Sequence, residues 1–565
     1  MIIYSIIIMN DLMRNYRNII TRKSESDSEN ESQPLMTSSS SSARSFGAVR
    51  GNYIFYPESD VTDSDFDRSF RRTNITETDN LQRSINFPTQ FYSPDSFSSK
   101  NYYSCQEFTS SLGVYVPPDS MGQRNEGKEA EKALTQNSLV TIFSIWNTTM
   151  GSSLLAMSWG FEKSGLFSGI FINILIAGLC LYTCNVLLNI NNKHGVPGHN
   201  HEVCDLCKEL LGRWAEVLAK IFSVIVLIGA NIVYWILMSN FLYNSVVFFY
   251  DLIYSSSSTD NQFPVICPKD TILTPTNMTS SLEKTPFEKY WDLYATVPIF
   301  LALIMFPMLN FKSPTFFTKF NSLGTISVGF IVIFVAVKSY SFGLNLPNWQ
   351  NEIYLKPTFT ALSGMLSLSY FIHNIIISIM RSNRNQEHNG RDLSIAFALI
   401  TFTYLFLGVT FYMAFPLAKS CIEDNILNNF PKNDTLTIIA RILLLFQLFT
   451  VFPLLAFMLR NDIFANIKMI FAKGWGDFSY KKVVAINIVL VITCICFACF
   501  MPRIGTLIRY TGAASGLVYI FMLPSLLKMA SLKKEGNLTP LKTIFYVAII
   551  TIGVLNLLSQ FLITV

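Results

Sequence analysis

The stretch NTTMGSS, Asn147 to Ser153, interrupts an apolar run that extends from about Ser138 to Trp159. In hydrocarbon every backbone N–H and C=O must be satisfied, so irregular backbone survives only where it lines a cavity or is buried in protein. Gly151 removes a Cβ and lets another group approach, while Asn147, Thr148, Thr149 and Ser153 offer side-chain partners to freed backbone groups. Unwound here, the segment presents bare N–H groups to a carboxylate, and carbonyl and hydroxyl oxygens to a hard cation such as Na⁺. The bland alternative is an intact helix whose small residues only pack against a neighbour. TALSGMLSLSYFIHN, Thr360 to Asn374, repeats the pattern, with Gly364 among Ser363, Ser367 and Ser369, then His373 and Asn374. A different chemistry is open to HGVPGHNHEVCDLC, where His199, His201, Cys204 and Cys207 have a spacing that could give zinc two nitrogens and two thiolates. A Gly-Pro loop followed by a helix start accounts for those residues without metal, and that reading is preferred.

The elements that must position these groups are membrane helices. Half of the 565 residues are hydrophobic and 14% are charged, and apolar runs of about 20 residues, enough to cross a bilayer, recur. A soluble core holding this much Phe, Leu and Ile would leave few charges to cover it. We predict an all-α polytopic protein with eleven spans, at about 138–160, 164–190, 218–250, 293–311, 321–343, 357–380, 393–415, 435–459, 483–501, 506–528 and 542–565. The two interrupted segments stand five spans apart, the pointer to an inverted-repeat transporter such as LeuT. Spans 1 to 5 and 6 to 10 are then the repeats, with an eleventh helix added.

Residues 1–137 differ in kind, being rich in Ser, Asp, Asn and Arg with too little apolar surface to offset ordering entropy. They read as a disordered cytosolic tail, regulatory and partner-binding, ahead of the transporter domain at 138–565. The opening MIIYSIIIMN is short, without a leading basic region or a cleavage site, and is not a signal peptide. With the tail inside, Lys and Arg concentrate in the inside loops, for example Lys193, Arg381, Arg384, Lys481 and Lys533, and the C-terminus lies outside. The sequons at Asn277 and Asn433 fall in outside loops and are the expected glycosylation sites, whereas Asn74, Asn147 and Asn537 are expected to stay bare. Cys267 and Cys421 are the two outside-loop cysteines; on an oxidising side they either pair or remain free thiols.

No Asp or Glu falls within a predicted span, which argues against carboxylate proton relays and leaves a cationic passenger without a buried counter-ion. Lys338 and Arg509 are expected to snorkel to an interface, Arg441 to be structural and His373 to be packed. No ring of charge or filter repeat suggests a channel, no nucleophile–base pair suggests an enzyme, and nothing points to nucleic acid.

Several stretches carry a resemblance: NSLVTIFSIWNTTMGSSLLAMSWG (137–160), LIGANIVYWILMSNFLYN (227–244), LNFKSPTFFTKFNSLGTISV (309–328), FIHNIIISIMRSNRNQEHNGRDLSIA (371–396), DTLTIIARILLLFQLFTVFPLL (434–455) and PRIGTLIRYTGAASGL (502–517). Together they resemble solute carrier family 38, the sodium-coupled neutral amino-acid transporters of the amino acid/auxin permease superfamily, in its lysosomal arginine-sensing branch. The resemblance implies a LeuT-like eleven-helix fold with a luminal C-terminus at the lysosomal membrane. It also implies arginine binding, export of amino acids, and signalling of amino-acid supply to the target-of-rapamycin pathway through Rag GTPases and Ragulator. Carried over, the substrate segment is Thr148, Thr149, Met150, Gly151 and Ser153, used mostly through main-chain groups. The sodium residues are Asn147 and Thr450, sodium being a coupling ion and not a cofactor. The chain departs from its relatives at Thr149, where Met is expected, and at Ser158, where Pro is expected. The tail's docking motif maps to NYYSCQEF, with Tyr102 and Tyr103 as anchors. GNYIFYP (51–57) is the alternative, and ESQPLM (31–36) resembles an acidic dileucine address. The rival functions are an amino-acid-binding receptor with little transport, and a plain neutral amino-acid transporter without a sensing role.

Overall fold

The computed structural model describes residues 136–195, 202–254, 264–268, 287, 290–310, 324–346, 354–470 and 479–563. All lie in one compact unit, Phe91–Val565. Its helices, in chain order, are α1 (Ser138–Thr149), α2 (Ser153–Ser164), α3 (Leu166–His194), α4 (Val203–Leu210), α5 (Arg213–Tyr254), α6 (Val297–Leu309), α7 (Gly324–Phe342), α8 (Thr360–Ser369), α9 (Ile376–Arg381), α10 (Asn389–Ala414), α11 (Thr435–Ile470), α12 (Tyr480–Phe500), α13 (Ile504–Gly516), α14 (Leu523–Lys534) and α15 (Pro540–Leu562). A π-helical turn, Leu517–Met522, joins α13 to α14. Among the described residues eight helices are long and apolar enough to cross a membrane, and nine when α1 and α2 count as one broken span. The thirteen residues of α6 and the pair α8 and α9 occupy the two remaining predicted segments. The order is therefore two sets of five with the first and sixth interrupted and α15 added, the LeuT-like plan.

Local chemistry explains several boundaries. Gly165 ends α2 and starts α3 with φ 89°, a left-handed conformation that lets the chain reverse in one residue. Prolines at the first turns of α6, α14 and α15 lose no helix bond there. At 42 residues α5 spans about 60 Å, twice the hydrocarbon thickness, so its ends stand in the aqueous layers.

The long α5 and α11 lie along each other at the centre, and α8 lies along α13. The second pairing corrects the reading of Gly364. It sits inside α8, where a Cβ would come 2.8 Å from Gln560 Cδ and 2.9 Å from the Arg509 carbonyl, and a Cβ on Gly512 of α13 would collide with the Gly364 carbonyl. These glycines permit a close helix crossing. Ser363 donates to Asn556 Oδ1 at 2.6 Å, and Ser367 accepts from Asn556 Nδ2 at 3.2 Å, fastening α15 to the same face.

A strap joins the first segment to the sixth: Lys356 donates its ammonium to the Glu162 carbonyl at 2.6 Å, and Thr358 donates to the Lys163 carbonyl at 2.6 Å. At the same end Cys267 and Cys421 form a disulfide, so of the two alternatives the cysteines pair. Asn429 Nδ2 donates to the Cys421 carbonyl at 2.8 Å, and Arg441 Nη2 to the Leu427 carbonyl at 2.7 Å. At the opposite end Gln136 bonds into the loop after α9, its N–H to Ser382 O at 2.7 Å and its carbonyl from Arg384 N at 2.8 Å.

One expectation changes, at Arg509. Glu162, Glu216, Asp392 and Asp462 stand in helices because α2, α5, α10 and α11 run past the predicted span limits, and all four lie beyond those limits. Lys338 reaches the end of the bundle, where it pairs with Asp434 in the turn before α11 and lies 5.3 Å from the Phe430 ring centroid. Burial alone would raise the Asp434 carboxyl, but the Lys338 ammonium and Thr437 together hold it below its ordinary 3.8. Arg509 is buried, donating to the Gln560 carbonyl and the Tyr510 hydroxyl, each at 3.4 Å.

Candidate functional site

The break in the first segment falls at Met150–Ser152, where α1 and α2 meet at 64°. The threonines before it turn their hydroxyls back onto their own helix, Thr148 to Ser144 O and Thr149 to Ile145 O, both at 2.7 Å. These hydroxyls double up on carbonyls inside the helix ladder, which runs on to the bond from Met150 N to the Trp146 carbonyl at 3.1 Å. Across the break Gly151 N donates to Thr149 O at 2.9 Å, Leu154 N to Gly151 O at 3.2 Å and Leu155 N to Ser152 O at 3.3 Å. Ser152 caps α2 without a side-chain bond, and with Leu154 N and Leu155 N taken up by the break itself, the N–H groups of Ser152 and Ser153 are the ones left without a backbone partner. This is the helix N-terminus that favours a carboxylate.

The sixth segment breaks from Tyr370 to Ile375, six residues downstream of Gly364 at its first position. Two of its polar side chains are held from outside: Tyr370 donates to Asn173 Oδ1 at 2.7 Å, and His373 Nε2 lies 2.8 Å from Thr183 Oγ1, with His373 Nδ1 buried and unpaired. Tyr370, Ile372 and His373 are fully buried, so His373 is a packed histidine.

One residue that sequence reading missed joins the two breaks. The Tyr404 hydroxyl, from α10, is 2.7 Å from the Thr149 carbonyl and 3.0 Å from the Ser369 carbonyl, the last helical carbonyls of α1 and α8. It carries one hydrogen and donates to one of them at a time. Ser153 Oγ stands 3.5 Å from it. Nothing local marks a tyrosine in an apolar run as such a pin; only the packing of α10 against both segments does.

Beside the first break lies a cavity of about 30 Å³, room for about one water and not for an amino acid. Met150, Gly151 and Ser152 form one wall, Tyr234 and Phe241 of α5 a second, Gln447 and Leu448 of α11 a third. A Cβ on Gly151 would lie 3.5 Å from the Tyr234 hydroxyl. Of the substrate residues read from the sequence, Met150 and Gly151 line this cavity, Thr148 and Thr149 hold the helix end beside it, and Ser153 turns toward Tyr404.

Asn147 reaches the start of α7, whereas the Thr450 hydroxyl is turned onto its own helix. Asn147 Oδ1 accepts from Thr325 Oγ1 at 3.2 Å. Thr450 donates to the Gln447 carbonyl at 2.7 Å, and the Gln447 amide rests against Gly324. The donors here are neutral oxygens, which suit a monovalent hard cation.

Tyr102, Tyr103, Asn277, His199 and His201 lie outside the described residues, as do the other two tail motifs. Asn433 is exposed in the turn before α11. Cys204 and Cys207 sit on α4, which opens with a capping box between Glu202 and Asp205; Cys207 is buried and Cys204 Sγ is 4.0 Å from the Tyr519 hydroxyl.

A helical membrane protein with two interrupted segments, pinned to each other beside a small central cavity, is a carrier by architecture. Residues 135–565 match the model described as transmembrane amino acid transporter protein. The chain belongs to this family, and its work is amino-acid transport. It is 43% identical over 458 residues to a sodium-coupled neutral amino acid transporter 9 homolog of Caenorhabditis elegans, covering 76% of this chain and 74% of that one. To neutral amino acid transporter 9 of Rattus norvegicus it is 41% identical over 471 residues, covering 79% and 83%. A crystal structure of MhsT in complex with L-phenylalanine superposes with TM-score 0.47 at 12% identity, covering 75% of this chain and 97% of that one.

Proposed function

We infer that the chain carries amino acids by gripping their backbone at the first break, with sodium as the coupled ion and arginine among its passengers. The observation that carries this reading is the gap at Met150–Ser152: the N–H groups of Ser152 and Ser153 have no backbone partner, and Ser152 lines a cavity whose described walls hold no ionised side chain. The amides favour the passenger's carboxylate, and the carbonyls at the end of α1 favour its ammonium. A guanidinium would be received by carbonyls, hydroxyls and water, so arginine binds modestly and neutral amino acids are tolerated. Sodium coupling rests on the oxygens around Asn147 and Thr450 and on the name of the worm relative. At about 30 Å³ the cavity is in a closed state, and alternating access must enlarge it.

The finer reading places the carrier in the lysosomal membrane, with glycans on Asn277 and Asn433 and a tail that reports occupancy to Rag GTPases and Ragulator through Tyr102 and Tyr103. Its support is the root of that tail: Gln136 is bonded into the loop that closes the sixth segment, so a movement of α9 reaches the tail directly.

The test is counterflow of labelled amino acids into liposomes containing the purified chain, with and without sodium. Uptake that falls on sodium removal, and falls again in Thr450→Ala, supports the coupled carrier. Binding without passage would make the chain a receptor, and transport left intact by deletion of residues 1–110, with a tail that pulls down no GTPase complex, would remove the sensing role.

A further inference from the structure

The connection between α10 and α11 is irregular in backbone yet packed like a core: Phe415, Cys421, Ile422, Ile426, Leu427 and Phe430 are all buried, whereas connections ordinarily run exposed over a surface. One face of it is fastened to the α5 and α11 side. The disulfide ties Cys421 to Cys267, beyond the end of α5, and Ile266 N donates to the Asn429 carbonyl at 2.9 Å. Asn425 Nδ2 donates to Asn240 Oδ1 of α5 at 3.3 Å, and Arg441 of α11 holds the Leu427 carbonyl at 2.7 Å. The other face meets α2 and α13. The 3₁₀ turn Ile426–Asn429 packs on α2, and Asp424 Oδ2 accepts from Gly505 N, in the first turn of α13, at 2.8 Å. Arg503 stands at the cap position of α13 without making a capping bond, so a carboxylate from a distant loop serves that helix end, where the dipole favours it. Gly505 permits the approach: a Cβ there would come 2.8 Å from Trp159 Cζ3 of α2 and 3.0 Å from Asp424 Cβ.

The central cavity lies between the first break and the pair α5 and α11. From that cavity α2 runs to the disulfide end, starting at Ser153 and finishing at Ser164. A route from the cavity to that end therefore follows α2, between it and α5 and α11, and the connection bears on α2 there. The geometry points to residues 415–430 as a lid across this route, fastened to α5 and α11 and latched onto α2 and α13 by the Asp424 carboxylate. Opening at this end breaks the Asp424 bond and parts Trp159 from Gly505, while the disulfide and the bonds to Asn240 and Arg441 stay made. The latch bond stabilises the state that is shut at this end and is absent from the state that is open there, so removing it shifts the population toward the open one. This inference rests on the carrier reading above and adds to it the contact that shuts one side.

The experiment uses the full chain in vesicles with Ser152→Cys as a reporter at the cavity, and measures how fast a membrane-impermeant thiosulfonate modifies it from either side, after subtracting the signal of the chain without that substitution. Asp424→Ala in this background is expected to raise the rate from the disulfide side about tenfold, the loss of one charge-assisted hydrogen bond, and to lower the rate from the opposite side. Gly505→Ala wedges Trp159 away from Asp424 and shifts both rates in the same directions, by less. A rate from the disulfide side that stays within about twofold in Asp424→Ala overturns the inference. A rise from both sides overturns it too, since that is what general loosening of the packing gives and a latch does not. Should Asp424→Ala fail to fold, Asp424→Asn keeps an acceptor and loses the charge; a rise of about threefold from the disulfide side is then expected, and no rise overturns the inference. Counterflow of labelled amino acid by the wild-type chain keeps the two readings apart: no passage sinks the carrier reading itself, whereas passage with side-independent thiol access sinks the lid alone.

Discussion

The helix ladder is open for three residues in the first segment, Met150 to Ser152, and for six in the sixth, Tyr370 to Ile375. In the shorter gap Gly151 and Ser152 leave space, the N–H groups of Ser152 and Ser153 have no backbone partner, and a cavity lies beside them. The longer gap is filled by its own side chains, with Tyr370 held by Asn173 and His373 by Thr183. Two interruptions at equivalent places therefore divide the work: the first is a binding surface and the sixth is a packed joint. What makes the difference is side-chain volume at the gap, not the loss of helix bonds. The two are held in register by the Tyr404 hydroxyl between Thr149 O and Ser369 O.

The contrast predicts the largest effect at Gly151. Gly151→Leu places three extra carbons beyond a Cβ that already stands 3.5 Å from the Tyr234 hydroxyl. Amino-acid uptake should be abolished, while the thermal unfolding of the detergent-solubilised chain changes little. Gly364→Ala should do the opposite, because its Cβ meets backbone: stability falls by about 1–3 kcal/mol with ligand affinity retained in the folded fraction. A stable Gly364→Ala that cannot bind would break the division of labour. Next in size is Tyr404→Phe, which leaves the Ser369 carbonyl without its donor while Thr149 O keeps the Gly151 N–H, at a cost of about 1–3 kcal/mol, and lets the breaks move apart. Uptake rate should fall about tenfold, and a rate equal to wild type would mean that the shared hydroxyl couples nothing.

Smaller effects belong to the end that carries the disulfide. The Asp434 carboxyl has its folded pKa held below the ordinary 3.8, so its contribution is complete above that value and is lost as the pH falls through the lower folded one. Stability from this pair should thus persist in mildly acidic buffer and fade only below it, and Lys338→Met should flatten the acid limb of a melting curve. A curve for Lys338→Met that superposes on wild type at every pH would show the pair to be idle. The smallest effect is expected from Asn433→Gln, which should increase gel mobility of protein made in a glycosylating host and leave uptake unchanged.

The first break was legible because Asn, Thr, Gly and Ser gathered inside an apolar run are costly in a membrane unless the backbone there opens onto a cavity. The same cue misled at Gly364, since small residues also serve helix crossings, and a crossing partner as distant in the chain as Gly512 cannot be read from the local pattern. Span limits were legible to within a turn or two, yet the helices run on into the aqueous layers. For that reason Glu162 and Asp462 entered helices that composition had ended earlier.

The sequence by itself determined that this is a helical membrane protein of eleven apolar segments, with an interruption in the first and another in the sixth, because hydrophobic length and the obligation to satisfy backbone polar groups act locally. It also singled out Cys267 and Cys421 by their place between segments. Only the tertiary structure decided which small residues unwind and which pack, and that Tyr404 joins the two breaks. Those facts depend on which distant helix lies opposite, and hydrophobic periodicity says which face is buried without saying against what.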